Sequence, residues 1–311
     1  MTRLVLCPGS RSGPLAAAAG LLAARADLEL TTAIDERSAA FLALGMATAC
    51  GRAVAVVTTS GTAVANLLPA AVEADRSTQP LLLLTADRPA RLKDCCANQT
   101  VNQELFLQPA CRWLGSGAPE GLASLSPDAL LDLAAEAWCR CHGRPPGPVQ
   151  LNLPFEEPLH ASPDDQASLQ AASWRRLEAK GASSVDPGPA APPLDPKQAG
   201  VVVAGPWRGL APALPAYQQA LRQWLSRSGW PLLADPLAAI PADCPGQVDG
   251  WELQLDRLAL PPGSPVLRLG PLPASRRLQA WLQQQAGPQL LISEGDPRGL
   301  DPLGLSDQWS G

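Results

Sequence analysis

Four times within the first 90 residues a short apolar run ends in a polar turn, and this repeat limits the available folds more than any other feature of the chain. The runs are residues 4–7 (LVLC), 28–34 (LELTTAI), 53–59 (AVAVVTT) and 80–86 (PLLLLTA). Continuous apolar strands are the mark of a parallel sheet covered on both faces. With helix-forming segments between them, they describe a doubly wound α/β domain. A last strand is predicted at 145–154 (PPGPVQLNLP), after a helix around 129–141.

Open α/β sheets bind ligands in the crevice outside the carboxyl ends of their strands, which makes the polar turns the candidate site. The first turn, residues 8–14, offers backbone N–H groups, the Ser10 hydroxyl and the Arg11 guanidinium to an anion. The run at 28–34, predicted as a buried strand, enters Asp35-Glu36-Arg37 and a small-residue helix ending near Gly51. Asp35 fits an N-cap, and an acid in a first turn has local reasons to be there. Its strand-end position nevertheless makes Glu36 the leading catalytic candidate. Ser60-Gly61-Thr62 follows the third run and Asp87-Arg88-Pro89 the fourth; Ser60 and Thr62 have helix capping as their alternative role. The polar stretch 93–103 (KDCCANQTVNQ) supplies the amides of Asn98 and Gln99.

At 311 residues the chain has room for two domains. The first spans 1–162, a Pro/Ala-rich linker 163–199, and a second α/β domain 200–311, with strands at 201–206, 229–236, 265–270 and 289–293 and a helix bearing Arg276 and Arg277. A net charge of −5 without a basic block argues against nucleic acid as a partner. The most apolar helix, 14–24, is too short to cross a bilayer, and no signal-peptide pattern precedes it, so the expected location is cytoplasmic. The 8 cysteines lack a disulfide framework and read as thiols. Cys139, Cys141 and His142 lack the second ligand pair of a zinc site, so no metal site is assigned.

The motifs CPGSRSGPL (7–15), IDERSAAFLALG (34–45), TTSGTAVANLLPA (58–70), LTADRPARLKDCCANQT (84–100) and GPVQLNLPFEEPL (147–159) occur in this order across the first domain. In these the chain resembles the thiamine-diphosphate-dependent synthases of menaquinone and phylloquinone biosynthesis that form 2-succinyl-5-enolpyruvyl-6-hydroxy-3-cyclohexene-1-carboxylate. In the second domain the match is thinner, resting on GWPLLADPL (229–237) and LGPLPASRRLQAWL (269–282). The resemblance implies a pyrimidine-binding domain followed by a central domain. The family's third, diphosphate-binding domain has no counterpart, so the chain reads as a fragment or a truncated product.

The resemblance further implies a transferase acting as a carboligase: 2-oxoglutarate is decarboxylated on thiamine diphosphate and the succinyl unit is added to isochorismate. Glu36 matches the glutamate that bonds the aminopyrimidine ring nitrogen, and Ser60, Gly61 and Thr62 match positions beside that ring. Ser10, Arg11, Arg88, Asn98 and Gln99 match substrate-side positions, joined by Arg276 and Arg277 from the central domain. Magnesium or manganese would be held by the missing domain, and the cofactor site would form between subunits of an oligomer. The competing readings are an inactive fragment or anion-binding partner subunit, and another thiamine-diphosphate decarboxylase.

Overall fold

The structure is a computed structural model, and it describes residues 1–171, 194–293 and 296–310. The chain divides into two compact units, Met1–Ser183 and Ser184–Gly311. Residues 172–193 of the expected linker lie outside the described residues.

The elements of unit 1 are β1 (Arg3–Leu6), α1 (Gly13–Ala24), β2 (Glu29–Thr32), α2 (Glu36–Cys50), β3 (Val54–Thr58), α3 (Thr62–Ala65), α4 (Leu68–Arg76), β4 (Leu81–Asp87), β5 (Trp113–Ser116), α5 (Pro127–Cys141), β6 (Pro148–Pro154) and α6 (Pro163–Ala171). The strands form one parallel sheet in the order β2-β1-β3-β4-β6-β5. Alternate side chains part to opposite faces. Val5, Val54, Val56, Leu81 and Leu83 meet the alanines of α2 and α4. Leu4, Leu6, Val57 and Val149 meet α1 and α5.

Local chemistry sets the helix ends. Asp35 accepts a hydrogen bond from the Ser38 N–H at 2.7 Å and starts α2, and Gly51, at φ 66°, stops it in a left-handed conformation that glycine adopts without strain. Ser126 caps α5, with Pro127 at its first position.

Three sequence expectations change. The run at 28–34 is not a buried strand: β2 pairs only with β1, at the sheet edge, and Ile34 beyond it is 89% exposed. Its alternation ELTT suits an edge, where Glu29 pairs with Arg3 at 2.8 Å. The short edge strand β5 was not anticipated, because WLGS has too little apolar run to stand out. The expected linker at 163–199 begins as the exposed helix α6.

His142, at the end of α5, is a structural clamp. Its Nε2 accepts from the Ala53 N–H at 3.1 Å and its Nδ1 donates to the Trp138 carbonyl at 2.9 Å. Neighbouring Cys141 is buried, its thiol donating to the Gly147 carbonyl at 3.2 Å. Burial lowers the His142 pKa, so the fold favours the neutral ring. Its contribution is therefore complete above the ordinary histidine value of about 6.5 and is lost as pH falls through the lower folded value. Melting temperatures measured between pH 8 and 5 are expected to fall more steeply for the parent chain than for His142→Gln; equal slopes would remove His142 as the cause.

Unit 2 comprises β7 (Val201–Ala204), α7 (Leu214–Ser228), β8 (Leu232–Ala234), α8 (Trp251–Gln254), β9 (Val266–Leu269), α9 (Arg276–Gln283), β10 (Gln289–Ile292) and β11 (Ser306–Trp309). Its parallel sheet runs β11-β10-β9-β7-β8. Strand β11, half-polar SDQW at the edge, was also not anticipated. One layer of the core joins Leu221 and Leu225 of α7 to Val202, Leu232 and Leu267, and the other joins Leu278 and Leu282 of α9 to Val201, Val203 and Val266. Where β7 and β9 end side by side, a Cβ on Gly205 would overlap the Pro271 carbonyl oxygen.

Arg268, on the central strand β9, is 1% exposed. It pairs with Asp301 at 2.9 Å, and Asp301 in turn accepts from the N–H groups of Leu303, Leu305 and Ser306 at 3.1, 2.7 and 2.8 Å. One buried ion pair thus seats the turn that delivers β11.

Candidate active site

In unit 1 the strand order places β1 beside β3, with β2 and β4 outside them, so the chain reverses its winding between β1 and β3. The carboxyl ends at such a switch point are where ligands bind in this architecture. The two loops meet tightly there, because a Cβ on Gly9 would collide with the Thr59 side chain.

Glu36 is the first residue of α2 and half-buried. Among the described residues its carboxylate has no hydrogen bond or ion pair, in contrast to Asp35, which is spent on the helix cap. The charge of Glu36 reaches the end of β1: the Cys7 thiol is pushed up to about 12, first by burial and then by the Glu36 and Asp35 charges. A carboxylate without a protein partner, at a helix N-terminus beside a strand end, is free to bond an outside donor.

The next loop is built around Ser60 and Gly61. Gly61 lies at φ 86°, ψ −138°, which a side chain would strain, and a Cβ there would sit 2.8 Å from the Gln99 Cγ. Neither Ser60 nor Thr62 caps α3 by its side chain, which removes their alternative role. Ser60 is buried and donates to the Gln99 carbonyl at 3.3 Å, while Thr62 is exposed.

The two arginines take different positions. Arg11 is 7% exposed, donating to the Phe155 carbonyl at 2.9 Å and to Glu157 at 3.4 Å. It ties the β1 loop to the exit of β6, beneath the exposed Ser10. Arg88 is half-buried and donates to the Ser60 hydroxyl and to the Gln99 carbonyl, the latter at 2.7 Å. Burial, and then the charge of Arg11, lowers the Arg88 pKa, so the two guanidiniums are electrostatic neighbours. Gln99 folds back, its Nε2 donating to the Ser60 carbonyl at 2.8 Å, whereas the Asn98 side chain is exposed.

Ser10, Arg11, Glu36, Ser60, Gly61, Thr62, Arg88 and Gln99 are all carried by strand-end loops of one sheet. Arg276 and Arg277 belong to unit 2, in the first turn of α9, which Ser275 caps. Arg277 pairs with Asp256 at 2.7 Å, while Arg276 is exposed.

The sequence reading missed what holds these loops. Gln103 is fully buried; its Oε1 accepts from the Gly61 N–H at 2.8 Å, and its Nε2 donates to Asn152 at 2.7 Å and to the Ala86 carbonyl at 3.0 Å. Asn152 donates to the fully buried Asp87 at 2.7 Å, and Lys93 joins Asp87 at 3.0 Å and Glu104 at 2.7 Å. Thr85 faces Asn152 across the β4–β6 ladder and bonds it at 3.0 Å. The available signal was a polar residue at every second position of TAD and QLN, inside runs otherwise wholly apolar. Gln103→Leu strands the buried Gly61 N–H, which should cost roughly 1–3 kcal/mol. Denaturant unfolding checks the loss, and amide exchange at Gly61 should quicken; an unchanged midpoint would refute the network's importance.

Residues 1–110 match the family described as "Thiamine pyrophosphate enzyme, N-terminal TPP binding domain". The whole chain is 86% identical over 311 residues to the 2-succinyl-5-enolpyruvyl-6-hydroxy-3-cyclohexene-1-carboxylate synthase of Parasynechococcus marenigrum (strain WH8102), covering 57% of that protein. Across its whole length the chain is similar to this synthase. The synthase of Synechococcus sp. (strain CC9605) is 66% identical over 317 aligned residues, again across the whole chain and 56% of its own length. The chain therefore spans little more than half the length of the synthases it matches. Among solved structures, benzoylformate decarboxylase from Polynucleobacter necessarius matches 99% of the chain and 55% of its own, with a TM-score of 0.65 at 17% identity, a likeness of fold alone. That likeness agrees with the two parallel α/β units.

Proposed function

We propose that this chain supplies the pyrimidine-binding and central domains of a thiamine-diphosphate-dependent carboligase that decarboxylates 2-oxoglutarate and adds the succinyl unit to isochorismate, in menaquinone or phylloquinone biosynthesis. The observation that carries the reading is Glu36, a half-buried carboxylate with no partner among the described residues, at the edge of the switch point.

The residues present fit the pyrimidine half of the cofactor. Glu36 offers the acceptor that an aminopyrimidine nitrogen requires when it gains or shares a proton. Ser60, Gly61 and Thr62 form the strand-end loop the resemblance places beside the ring, held in shape by Gln103 and Gln99. When bound, thiamine diphosphate supplies the nucleophilic carbon and the electron sink, and the protein supplies orientation and electrostatics. Arg88 and Arg11 lend positive charge to substrates that are both carboxylates, Arg88 by direct reach and Arg11 by charge and by fixing the loop under Ser10. Asn98 and Gln99 shape the same rim, and the family resemblance assigns Arg276 and Arg277 of unit 2 to substrate as well. Among the described residues no three His, Cys, Asp or Glu side chains are grouped to hold a metal. By the family resemblance, magnesium or manganese is assigned to the part of the synthases this chain does not span.

A second copy of the chain is the partner we assign to the face beside Glu36. Phe41 and Leu42 on α2, Val72 on the adjacent α4, and Ile34 are all exposed apolar side chains, an arrangement that marks an interaction surface. No helix among the described residues is long and apolar enough to cross a membrane, and a cytoplasmic location is proposed.

The test extends this chain with the carboxyl-terminal portion of the strain WH8102 synthase and measures carbon dioxide release from 2-oxoglutarate. Release that depends on isochorismate is expected. Release without it would favour another decarboxylase, and no release from a folded, cofactor-loaded protein would favour a non-catalytic role.

A further inference from the structure

The loop after β4 carries two adjacent thiols that play no part in the site described above. Cys95 and Cys96 are both exposed, whereas Cys7, Cys141 and Cys244 are buried. Cys95 is held lightly, its Sγ 3.3 Å from the Leu92 carbonyl, and Cys96 has no hydrogen bond among the described residues. Exposure leaves both sulfurs open to a disulfide in solution.

The backbone around the pair is already under load. Asp94, Cys96 and Gln99 have φ values of 59°, 56° and 57°, three non-glycine residues in the left-handed region within one short loop. The loop keeps this shape because both ends are anchored. At one end Lys93 joins Asp87 at 3.0 Å and Glu104 at 2.7 Å. At the other, Gln99 donates to the Ser60 carbonyl at 2.8 Å and accepts from Arg88 at 2.7 Å.

We propose that Cys95 and Cys96 form a reversible vicinal thiol–disulfide site, oxidised by exchange with a small-molecule disulfide of the glutathione class. The Cys95 thiolate attacks one sulfur of the disulfide, which breaks its S–S bond and releases one thiolate. The Cys96 thiolate then attacks the Cys95 sulfur, closing the internal S–S bond and releasing the second. The two cysteines lose two electrons and two protons in total, and the incoming disulfide leaves as two thiols.

Neighbouring Cα atoms across a trans peptide are about 3.8 Å apart, below the roughly 4.4–6.8 Å usual for a disulfide. Closure therefore strains the loop, and a strained, exposed disulfide is the readily reduced kind. The strain moves to the weaker anchor. Lys93 is gripped by two carboxylates, one wholly buried, so the Gln99 end yields and its contacts with Ser60 and Arg88 loosen. This inference goes beyond the proposed reaction and does not depend on it.

The experiment equilibrates the native chain with reduced and oxidised glutathione at stepped ratios, quenches with acid, alkylates and digests with trypsin. The peptide 94–112 is expected to lose the mass of two hydrogen atoms, with no fragment from cleavage between Cys95 and Cys96, with Cys111 alkylated, and with full reversal by dithiothreitol. Cys95→Ser and Cys96→Ser should each show a single glutathione adduct instead. Stable adducts on the parent pair, a bond to Cys111, or reduced thiols under conditions that modify the exposed Cys139 would overturn the site. Amide exchange across residues 97–100 should be several-fold faster in the oxidised chain; equal rates would overturn the coupling to Gln99.

Discussion

In the extended chain, Glu36→Gln is expected to lower turnover by roughly 10²–10⁴-fold, the range in which a positioned acid or base acts. The amide keeps the size of the side chain but can neither share a proton in a charge-assisted bond nor accept one. Glu36→Asp should fall between parent and amide, because shortening withdraws the carboxylate from a position fixed by the first turn of α2. Stability distinguishes chemistry from damage here. Glu36 has no hydrogen-bond or ion-pair partner among the described residues to lose, and Asp35 and Gly51 hold the helix ends without it. The melting curve of the amide variant should therefore match the parent within about 0.5 kcal/mol. Full activity in Glu36→Gln would take the residue out of the mechanism.

The second large effect is structural. Asp301→Ala is expected to cost about 3–5 kcal/mol, since it leaves the Arg268 guanidinium buried without its counter-charge. Burial opposes ionisation of Asp301, yet the bonds from Arg268, Ser306 and the N–H groups of Leu303 and Leu305 outweigh it and hold the carboxyl well below the usual carboxylate range. A depressed carboxylate contributes stability that is complete above its ordinary value, about 3.9 for aspartate, and is lost only as pH falls toward the lower folded one. The parent should thus keep this contribution to about pH 4, while the variant lacks it at every pH. Replacing both partners with apolar residues, as in Arg268→Met with Asp301→Leu, should recover much of the loss. Chemical denaturation reads both; a cost under about 1 kcal/mol for the single variant would mean the arginine finds another partner.

The sheet of unit 1 was legible because VAVVT and the first four residues of LLLLTAD are unbroken apolar runs, a pattern with few alternatives once a polar turn and a helix follow. Edge strands gave less. Strand β2 reads as buried in sequence although its alternation points outward, and β5 and β11 give no clear signal, since four half-polar residues suffice where only one neighbour must be paired. In the site, Glu36, Ser60 and Arg88 could be picked out by their place at strand ends. The burial of Arg11 could not, because arginine is nearly always exposed unless paired and its partners Phe155 and Glu157 lie 144 and 146 residues away. Gln103 was hidden for a similar reason: its three bonds reach Gly61, Ala86 and Asn152, which only the folded sheet brings together.

The close approach of Gly205 to the Pro271 carbonyl has a bearing on what the second sheet can be used for. A dinucleotide fold keeps a vestibule open between the strands where its winding reverses, so that main chain can cup a pyrophosphate. Here the main chain of one loop fills that vestibule for the other. Unit 2 keeps the parallel scaffold but not the open berth, and glycine at position 205 is what lets the two loops come together.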